Sequence, residues 1–212
     1  MIINNPLLPK NARQFFIAGP AGKLDTLELA PRPEIALRGI AIIFHPDPKG
    51  GGSYTNKIVQ SMAKVMVAKG YLVLCPNLRG VGMSEGTHDF GIAEIADGRA
   101  VYQYAQHNYP QLAVVLGGFS FGCTIAANLA AQVACHYLIL IGPAVTRYAV
   151  PVTNPERMLV IHGQDDEIIP LAEVYAWAAT YTLPLSIFPQ TGHFFHGKLI
   201  PLQNYLAQML NL

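Results

Sequence analysis

The sequence has little charge and no long apolar run. Only 13% of its 212 residues are charged, while 51% are hydrophobic. This balance predicts a folded chain with a large core rather than a disordered one. The net charge is +1 and the basic residues are not clustered, so nothing indicates a nucleic-acid partner. No apolar stretch approaches the roughly 18 residues of a transmembrane helix, so no membrane span is expected.

Cysteine is also scarce, and the positions of the three cysteines help to predict the cellular compartment. Cys75, Cys123 and Cys135 form no C-x-x-C pair, and their apolar neighbours favour buried free thiols in a reducing environment. Residues 1–6 lack the basic segment and long apolar run of a secretory signal. We therefore expect a cytoplasmic protein. The low charge also leaves room for an apolar face through which a homodimer could form.

The most informative segment is Gly118-Phe119-Ser120-Phe121-Gly122, a G-x-S-x-G pentapeptide. The apolar run 113–116 precedes it, and a helical pattern over 123–134 follows it. A serine on such a sharp strand-to-helix turn has its hydroxyl exposed, and flanking glycines relieve the crowding that the turn creates. Ser120 is therefore predicted to be a nucleophile.

Short apolar runs alternate with helical patterns along the chain, which is typical of βαβ units on a mostly parallel sheet. Residues 14–18 and 24–29 flank Gly19-Pro20-Ala21-Gly22 and predict an N-terminal β-hairpin. No repeat or linker interrupts the pattern. We predict one α/β domain over residues 1–212, with seven to eight strands and helices on both faces.

A serine hydroxyl needs a base, and that base is usually a histidine oriented by a carboxylate. His45, His162 and His193 all follow apolar strand patterns, and sites in parallel sheets form where strands end. Asp165 and Asp166 also leave a strand end. These residues alone leave the choice of base and acid open.

Five short motifs follow one another along the chain in an order that is typical of one superfamily. They are His45-Pro46-Asp47-Pro48 with Gly51-Gly52 and Asn56-Lys57, Asn77-Leu78-Arg79-Gly80-Val81-Gly82-Met83-Ser84-Glu85-Gly86, Gly118-Phe119-Ser120-Phe121-Gly122, His162-Gly163-Gln164-Asp165-Asp166 and Gly192-His193-Phe194-Phe195. Because of these motifs, nearly the whole chain resembles the α/β-hydrolase superfamily. Within that superfamily, it is most similar to the small lidless bacterial serine hydrolases near the dienelactone-hydrolase and prolyl-peptidase-like branches.

The resemblance implies an α/β-hydrolase fold and a Ser-Asp-His catalytic triad. Its H-G-x-x-D pattern falls on Asp166 as the acid, with Asp165 as the alternative, and its G-H-F-F ending falls on His193 as the base. His162 is then interpreted as part of a strand-end turn and His45 as a residue that shapes its loop. Because His193 must be neutral to act, activity should rise with pH.

An oxyanion hole needs two backbone N–H donors. One is predicted at Phe121, directly after the nucleophile. The second should come from the loop after Phe44, where Pro46 and Pro48 have no N–H and leave Asp47 as the donor. We expect the carboxylate of Asp47 to point away from the oxyanion.

The segment 142–157 is too short for a cap domain, so small soluble esters or thioesters are the expected substrates. Amide hydrolysis, acyl transfer to another acceptor and a non-catalytic binding protein remain the alternatives. No metal or cofactor is expected, because no ligand spacing is present. Aromatic residues that could line an acyl pocket are Phe119, Phe121, Phe194, Phe195 and Tyr54.

Overall fold

The computed structural model describes residues 2–3 and 11–210, so the predicted domain limits, 1 and 212, lie outside the described residues. Gly19 and Gly22 close the predicted hairpin, and they pair with each other across the turn. The strands described are β1 (Ile2–Ile3), β2 (Ala12–Gly19), β3 (Gly22–Leu29), β4 (Gly39–Phe44), β5 (Tyr71–Pro76), β6 (Val114–Phe119), β7 (Tyr137–Ile141), β8 (Met158–Gly163) and β9 (Leu185–Phe188).

These strands form one sheet in the order β1-β2-β3-β5-β4-β6-β7-β8-β9. From β5 to β9 all neighbours are parallel, whereas the hairpin joins the sheet through antiparallel pairs. The predicted, mostly parallel α/β fold is confirmed, with the two-residue β1 added to eight longer strands.

Side chains of β4 show how the sheet acquires two cores. Ile40, Ile42 and Phe44 contribute to one buried cluster, and Ala41 and Ile43 contribute to the other. Successive side chains of a strand point to opposite faces, so an uninterrupted apolar strand must be covered on both sides.

Helices cover both faces of the sheet. The helices described are α1 (Lys57–Ala68), α2 (Glu94–Asn108), α3 (Phe121–Ala130), α4 (Leu171–Thr180) and α5 (Leu199–Met209). One core contains buried residues of α1 and α5, and the opposite core contains residues of α2, α3 and α4. The prediction of helices on both faces is confirmed.

Strand order fixes where a site can form. The chain adds β5 on one side of β4 and then returns to add β6 on the other side. Ligands bind at such switch points, beyond the carboxyl ends of the strands. Phe44, at the end of β4, pairs with Gly118 near the end of β6, so this crevice lies beside Ser120.

The connection from β7 to β8 spans residues 142–157 and contains only a short 3₁₀ turn, Pro155–Arg157. No cap domain is inserted there, as predicted. Among residues 2–3 and 11–210, no helix combines the length and apolar content that crossing a membrane requires.

Candidate active site

Ser120 lies on a strained turn between β6 and α3. Its φ is 53° and its ψ is −117°, a left-handed backbone conformation that costs a non-glycine residue about 1–3 kcal/mol. Its N–H donates to the carbonyl of Ile141 on the neighbouring strand at 2.9 Å. Only 9% of the residue is exposed, so its access to solvent is narrow.

Two glycines make this turn possible. A Cβ on Gly118 would lie 2.2 Å from the carbonyl oxygen of Gly122, and a Cβ on Gly122 would lie 2.2 Å from that of Phe44. Backbone atoms cannot move away as a flexible side chain can. The spacing of the pentapeptide therefore follows from close backbone contacts at the start of α3 and the end of β4.

His193 and Asp166 form a buried pair at this edge of the sheet. Nδ1 of His193 lies 2.7 Å from Oδ2 of Asp166, and both side chains are almost fully buried. A proton on Nδ1 leaves Nε2 free to accept another. This is the arrangement in which a carboxylate fixes the tautomer and orientation of a histidine base.

Asp166 is held as a carboxylate by its hydrogen bonds. Burial favours its neutral form, but the hydrogen bond from His193 and the backbone N–H groups of Ile169 and Ile168 outweigh burial, so its pKa lies below the ordinary value. Those two N–H groups donate to Oδ1 at 2.7 and 2.9 Å. The alternative acid, Asp165, is exposed and makes no hydrogen bond to His193 within the described residues.

The ring of His193 packs beside the nucleophile turn. Its centroid lies 4.9 Å from that of Phe119, the residue before Ser120. A Cβ on Gly142 would lie 3.3 Å from Cε1 of His193. Within the described residues no hydrogen bond joins the hydroxyl of Ser120 to His193, and such contacts are often long before substrate binds.

His162 also lies next to the acid, a position that the sequence analysis missed. Its Nε2 is 2.9 Å from the carbonyl oxygen of Ile169, to which it donates, and 3.4 Å from Oδ2 of Asp166. Burial lowers the pKa of His162, so the ring is neutral. Its position four residues before Asp166 in the H-G-x-x-D run was the available signal.

The two predicted oxyanion donors lie on adjoining turns. Phe121 is the first residue of α3, and Asp47 precedes the 3₁₀ turn Pro48–Gly50. The N–H groups of Phe121 and Asp47 make no hydrogen bond to any other described residue. The carboxylate of Asp47 accepts from the N–H of Lys49 at 2.9 Å.

His45 fixes the turn that carries Asp47. Nδ1 lies 2.7 Å from the carbonyl oxygen of Pro46 and donates to it, and Nε2 accepts the N–H of Leu78 at 3.0 Å. The ring is fully buried, and burial lowers the pKa of His45 to about 4. Neutral His45 therefore connects this turn to the loop after β5.

The predicted pocket aromatics lie in different environments. Phe194 is 41% exposed, and its ring meets that of His193 edge-on at 5.1 Å. Phe119 and Phe195 are fully buried in the core. Neither can line an open pocket, which corrects the prediction for both. Tyr54 directs its hydroxyl to Gln14 and Asp25 on the hairpin strands, at 2.9 and 3.3 Å.

An open cleft of about 360 Å³ adjoins Phe194. It lies between the turn that starts α1 and the loop that follows His193. Its walls include a lysine and a histidine but no carboxylate. The residues that line it are Thr55, Asn56, Lys57, Ile58, Phe194, His196, Gly197 and Leu199.

In the part of the chain that the structure describes, no group of three or more His, Cys, Asp or Glu side chains is arranged to hold a metal ion. The three cysteines are free thiols, with Cys75 and Cys123 buried and Cys135 partly buried.

Relatives of known structure have the same architecture. The crystal structure of XC6422 from Xanthomonas campestris, an α/β serine hydrolase without a lid, is 36% identical and superposes with a TM-score of 0.88 over 96% of this chain and 95% of its own. An α/β serine hydrolase homologue from Coxiella burnetii is 32% identical, with a TM-score of 0.85 over 97% and 100%.

Sequence comparisons agree with the structural ones. The uncharacterized protein RP471 of Rickettsia prowazekii (strain Madrid E) is 33% identical over 170 residues, which cover 76% of this chain and 70% of that protein. A family model described as serine aminopeptidase S33 matches residues 36–155. The chain therefore belongs to the serine aminopeptidase S33 family and is a small, lidless α/β-hydrolase.

Proposed function

We propose that the protein is a serine hydrolase that cleaves a small soluble ester or thioester through an acyl-enzyme on Ser120. The hydrogen bond between His193 and Asp166, buried beside the strained turn of Ser120, is the observation that carries the proposal. Family membership supports hydrolase chemistry of this kind.

In the first half-reaction, Nε2 of His193 takes the proton of Ser120 as the hydroxyl oxygen attacks the substrate carbonyl carbon. Asp166 stabilises the imidazolium that forms. The N–H groups of Phe121 and Asp47 donate to the oxyanion, and one such donor is typically worth about 2.7–4 kcal/mol. As the tetrahedral intermediate collapses, the bond from the carbonyl carbon to the leaving oxygen or sulfur breaks, and His193 gives its proton to that atom, so an alcohol or thiol is released.

In the second half-reaction, water attacks the acyl-enzyme carbonyl while His193 accepts a proton from the water. The oxyanion forms again at the same two donors. The intermediate then releases a carboxylic acid and restores the Ser120 hydroxyl, with His193 returning the proton. Each step uses only groups of this chain and water.

The cleft beside Phe194, which follows the proposed base His193 in the chain, supports a choice among esters if it holds the distal part of the substrate. Its walls carry the exposed side chains of Lys57 and His196 and no carboxylate. The positive charge of Lys57 would attract an acidic substituent of the substrate into this cleft. Esters with a carboxylate distant from the scissile bond are therefore the preferred substrates in this proposal.

Amide hydrolysis is the second candidate, because the matching family model is described as a serine aminopeptidase. An aminopeptidase must bind the free ammonium group of its substrate, which usually requires a nearby carboxylate. The cleft beside Phe194 has no carboxylate in its lining, whereas the carboxylate of Asp47, 42% exposed, lies beside the proposed oxyanion hole. Parallel assays with aminoacyl anilides and with short-chain esters would separate the two activities.

A fluorophosphonate probe followed by intact-mass measurement tests the proposal. The wild type should gain one adduct, and both Ser120→Ala and His193→Ala should lose it. His107→Ala is a matched control, since His107 is exposed near the end of α2, and should label normally. An unlabelled wild type would instead favour a binding protein, and an adduct that survives Ser120→Ala would show that another residue is the nucleophile.

A further inference from the structure

Ser120 separates two halves of the site, and each half lies over a different core. On one side, the ring of His193 packs against Phe119, which belongs to the core that contains α1 and α5. On the other side, a Cβ on Gly91 would lie 3.3 Å from the ring of Phe121, which belongs to the opposite core. A substrate whose carbonyl carbon lies at Ser120 therefore extends in two directions, one over each face of the sheet.

The position of the base decides which part of the substrate takes which direction. The leaving atom must accept a proton from His193, so the leaving group lies on the side of His193 and of the cleft beside Phe194. The acyl group exchanges no proton with His193. It therefore extends over the other half, toward residues 88–92 of the loop between β5 and α2.

Phe90 is an exposed aromatic residue in this loop. It is 54% exposed, and its φ of 53° lies in the left-handed region that bulky residues rarely adopt. Burial does not account for the ring, and the turn does not require it, because glycine adopts the same φ without a steric cost. Residues held in such conformations concentrate at active sites and ligand contacts.

The buried side chain of Glu94 holds the backbone on both sides of Phe90. Its Oε1 accepts the N–H of Asp89 at 2.6 Å, and its Oε2 accepts the N–H of Gly91 at 2.9 Å. The side chain of Glu94 is fully buried. The left-handed turn at Phe90 is thus fixed by the fold and points an apolar ring to solvent.

The ring of Phe90 is held in place as well. Nζ of Lys49 lies 4.2 Å from its centroid, and the centroid of the His88 imidazole lies 5.0 Å from it. Lys49 follows the proposed donor Asp47 by two residues, so the ring stands beside the turn of the oxyanion hole. A side chain that is already ordered loses little entropy when a ligand packs against it.

Tyr148 extends the aromatic surface of this half. Its ring meets that of Phe121 edge-on, with centroids 5.3 Å apart, and its Cδ1 would lie 3.5 Å from a Cβ on Gly91. Tyr148 is partly exposed. Aromatic rings attract one another beyond the effect of the area they bury, so this surface favours an aromatic group over an aliphatic one of the same size.

We infer that Phe90 is a specificity-determining residue that contacts the acyl group of the substrate, and that the preferred acyl group is aromatic. The inference deepens the proposed function and rests on it. The cleft beside Phe194 then takes the leaving group. A carboxylate attracted by Lys57 therefore belongs to the alcohol or thiol part of the substrate.

Nitrophenyl esters of acetic, cyclohexylpropanoic and phenylpropanoic acid test this assignment, because they share one leaving group and differ only in the acyl group. Phe90→Asn removes the ring, and asparagine tolerates the left-handed conformation. The variant should lose about tenfold in kcat/KM for the phenylpropanoyl ester and stay within about twofold for the acetyl ester.

Tyr175→Ala is the matched control, since it removes a ring that is 64% exposed on α4. It should leave kcat/KM unchanged for all three esters. A purely structural role for Phe90 predicts the same proportional loss for every ester. That result, or unchanged hydrolysis of the phenylpropanoyl ester by Phe90→Asn, would overturn the inference.

A comparison within the wild type does not depend on how any variant folds. Its kcat/KM for the phenylpropanoyl ester should exceed that for the cyclohexylpropanoyl ester about threefold, and equal values would refute the aromatic preference. A wild type that turns over no ester and is not labelled by the fluorophosphonate probe defeats the proposed function and this inference together. A labelled wild type that turns over none of the three esters defeats this inference alone.

Discussion

Nδ1 of His193 and Oδ2 of Asp166 lie 2.7 Å apart, and this contact distinguishes Asp166 from its neighbour Asp165. Asp166→Asn should lower kcat by a factor on the order of 10⁴, because an amide can stabilise the wrong tautomer of the histidine. Steady-state ester hydrolysis measures the loss. Asp165→Asn is the matched control and should stay within about twofold, since Asp165 is exposed. A larger loss in Asp165→Asn would reassign the acid.

Because Lys57 lines the cleft beside Phe194, we expect a preference for negatively charged substrates. Lys57→Gln should raise KM for esters that carry a distant carboxylate by about three- to tenfold and leave KM for neutral esters of the same length unchanged. Lys64→Gln removes the same charge from the same helix at a position outside the cleft and should change neither KM. An equal effect of Lys57→Gln on both ester classes would refute the preference.

The burial of His45 makes stability depend on pH. Its pKa falls from 6.5 to about 4 on folding because burial disfavours the charged ring. As pH falls, the unfolded chain therefore takes up a proton on His45 before the folded chain does. The folded state keeps its full stability above pH 6.5, and the free energy of unfolding decreases between pH 6.5 and 4. The loss should be about 3 kcal/mol, measured as the free energy of unfolding in urea. His45→Gln should have a shallower pH dependence, and an equally steep one would contradict this origin.

Gly122 should not tolerate a methyl group. Gly122→Ala would place Cβ 2.2 Å from the carbonyl oxygen of Phe44, which forces α3 away from β4. We expect a loss of several kcal/mol in unfolding free energy and little activity. Gly50→Ala provides the comparison, since a Cβ there meets nothing within 4 Å. Equal thermal stability of the two variants would disprove the steric explanation.

The sequence predicted features that depend on local rules. The strand-turn-helix around Ser120 follows from glycine spacing, and the alternation of strands and helices follows from apolar runs. Boundaries were less accurate. The helix predicted over 123–134 is α3, Phe121–Ala130, because the turn itself starts the helix and the chain makes turns after residue 130.

Features that depend on the packing of distant segments could not be predicted. Phe194 and Phe195 are adjacent aromatic residues in the sequence, but one is exposed and the other lies in the core. The approach of His162 to Asp166 follows from the path of the chain after β8. The position of His88 between Glu94 and Asp47 requires the loop after β5 to fold over the turn after β4.

The short connection between β7 and β8 has a kinetic consequence. With only residues 142–157 at this position and a single 3₁₀ turn among them, no cap has to open or close during a catalytic cycle. Enzymes with mobile lids are often limited by product release. For the proposed hydrolase, entry of substrate and release of product therefore do not have to wait for such a segment to move.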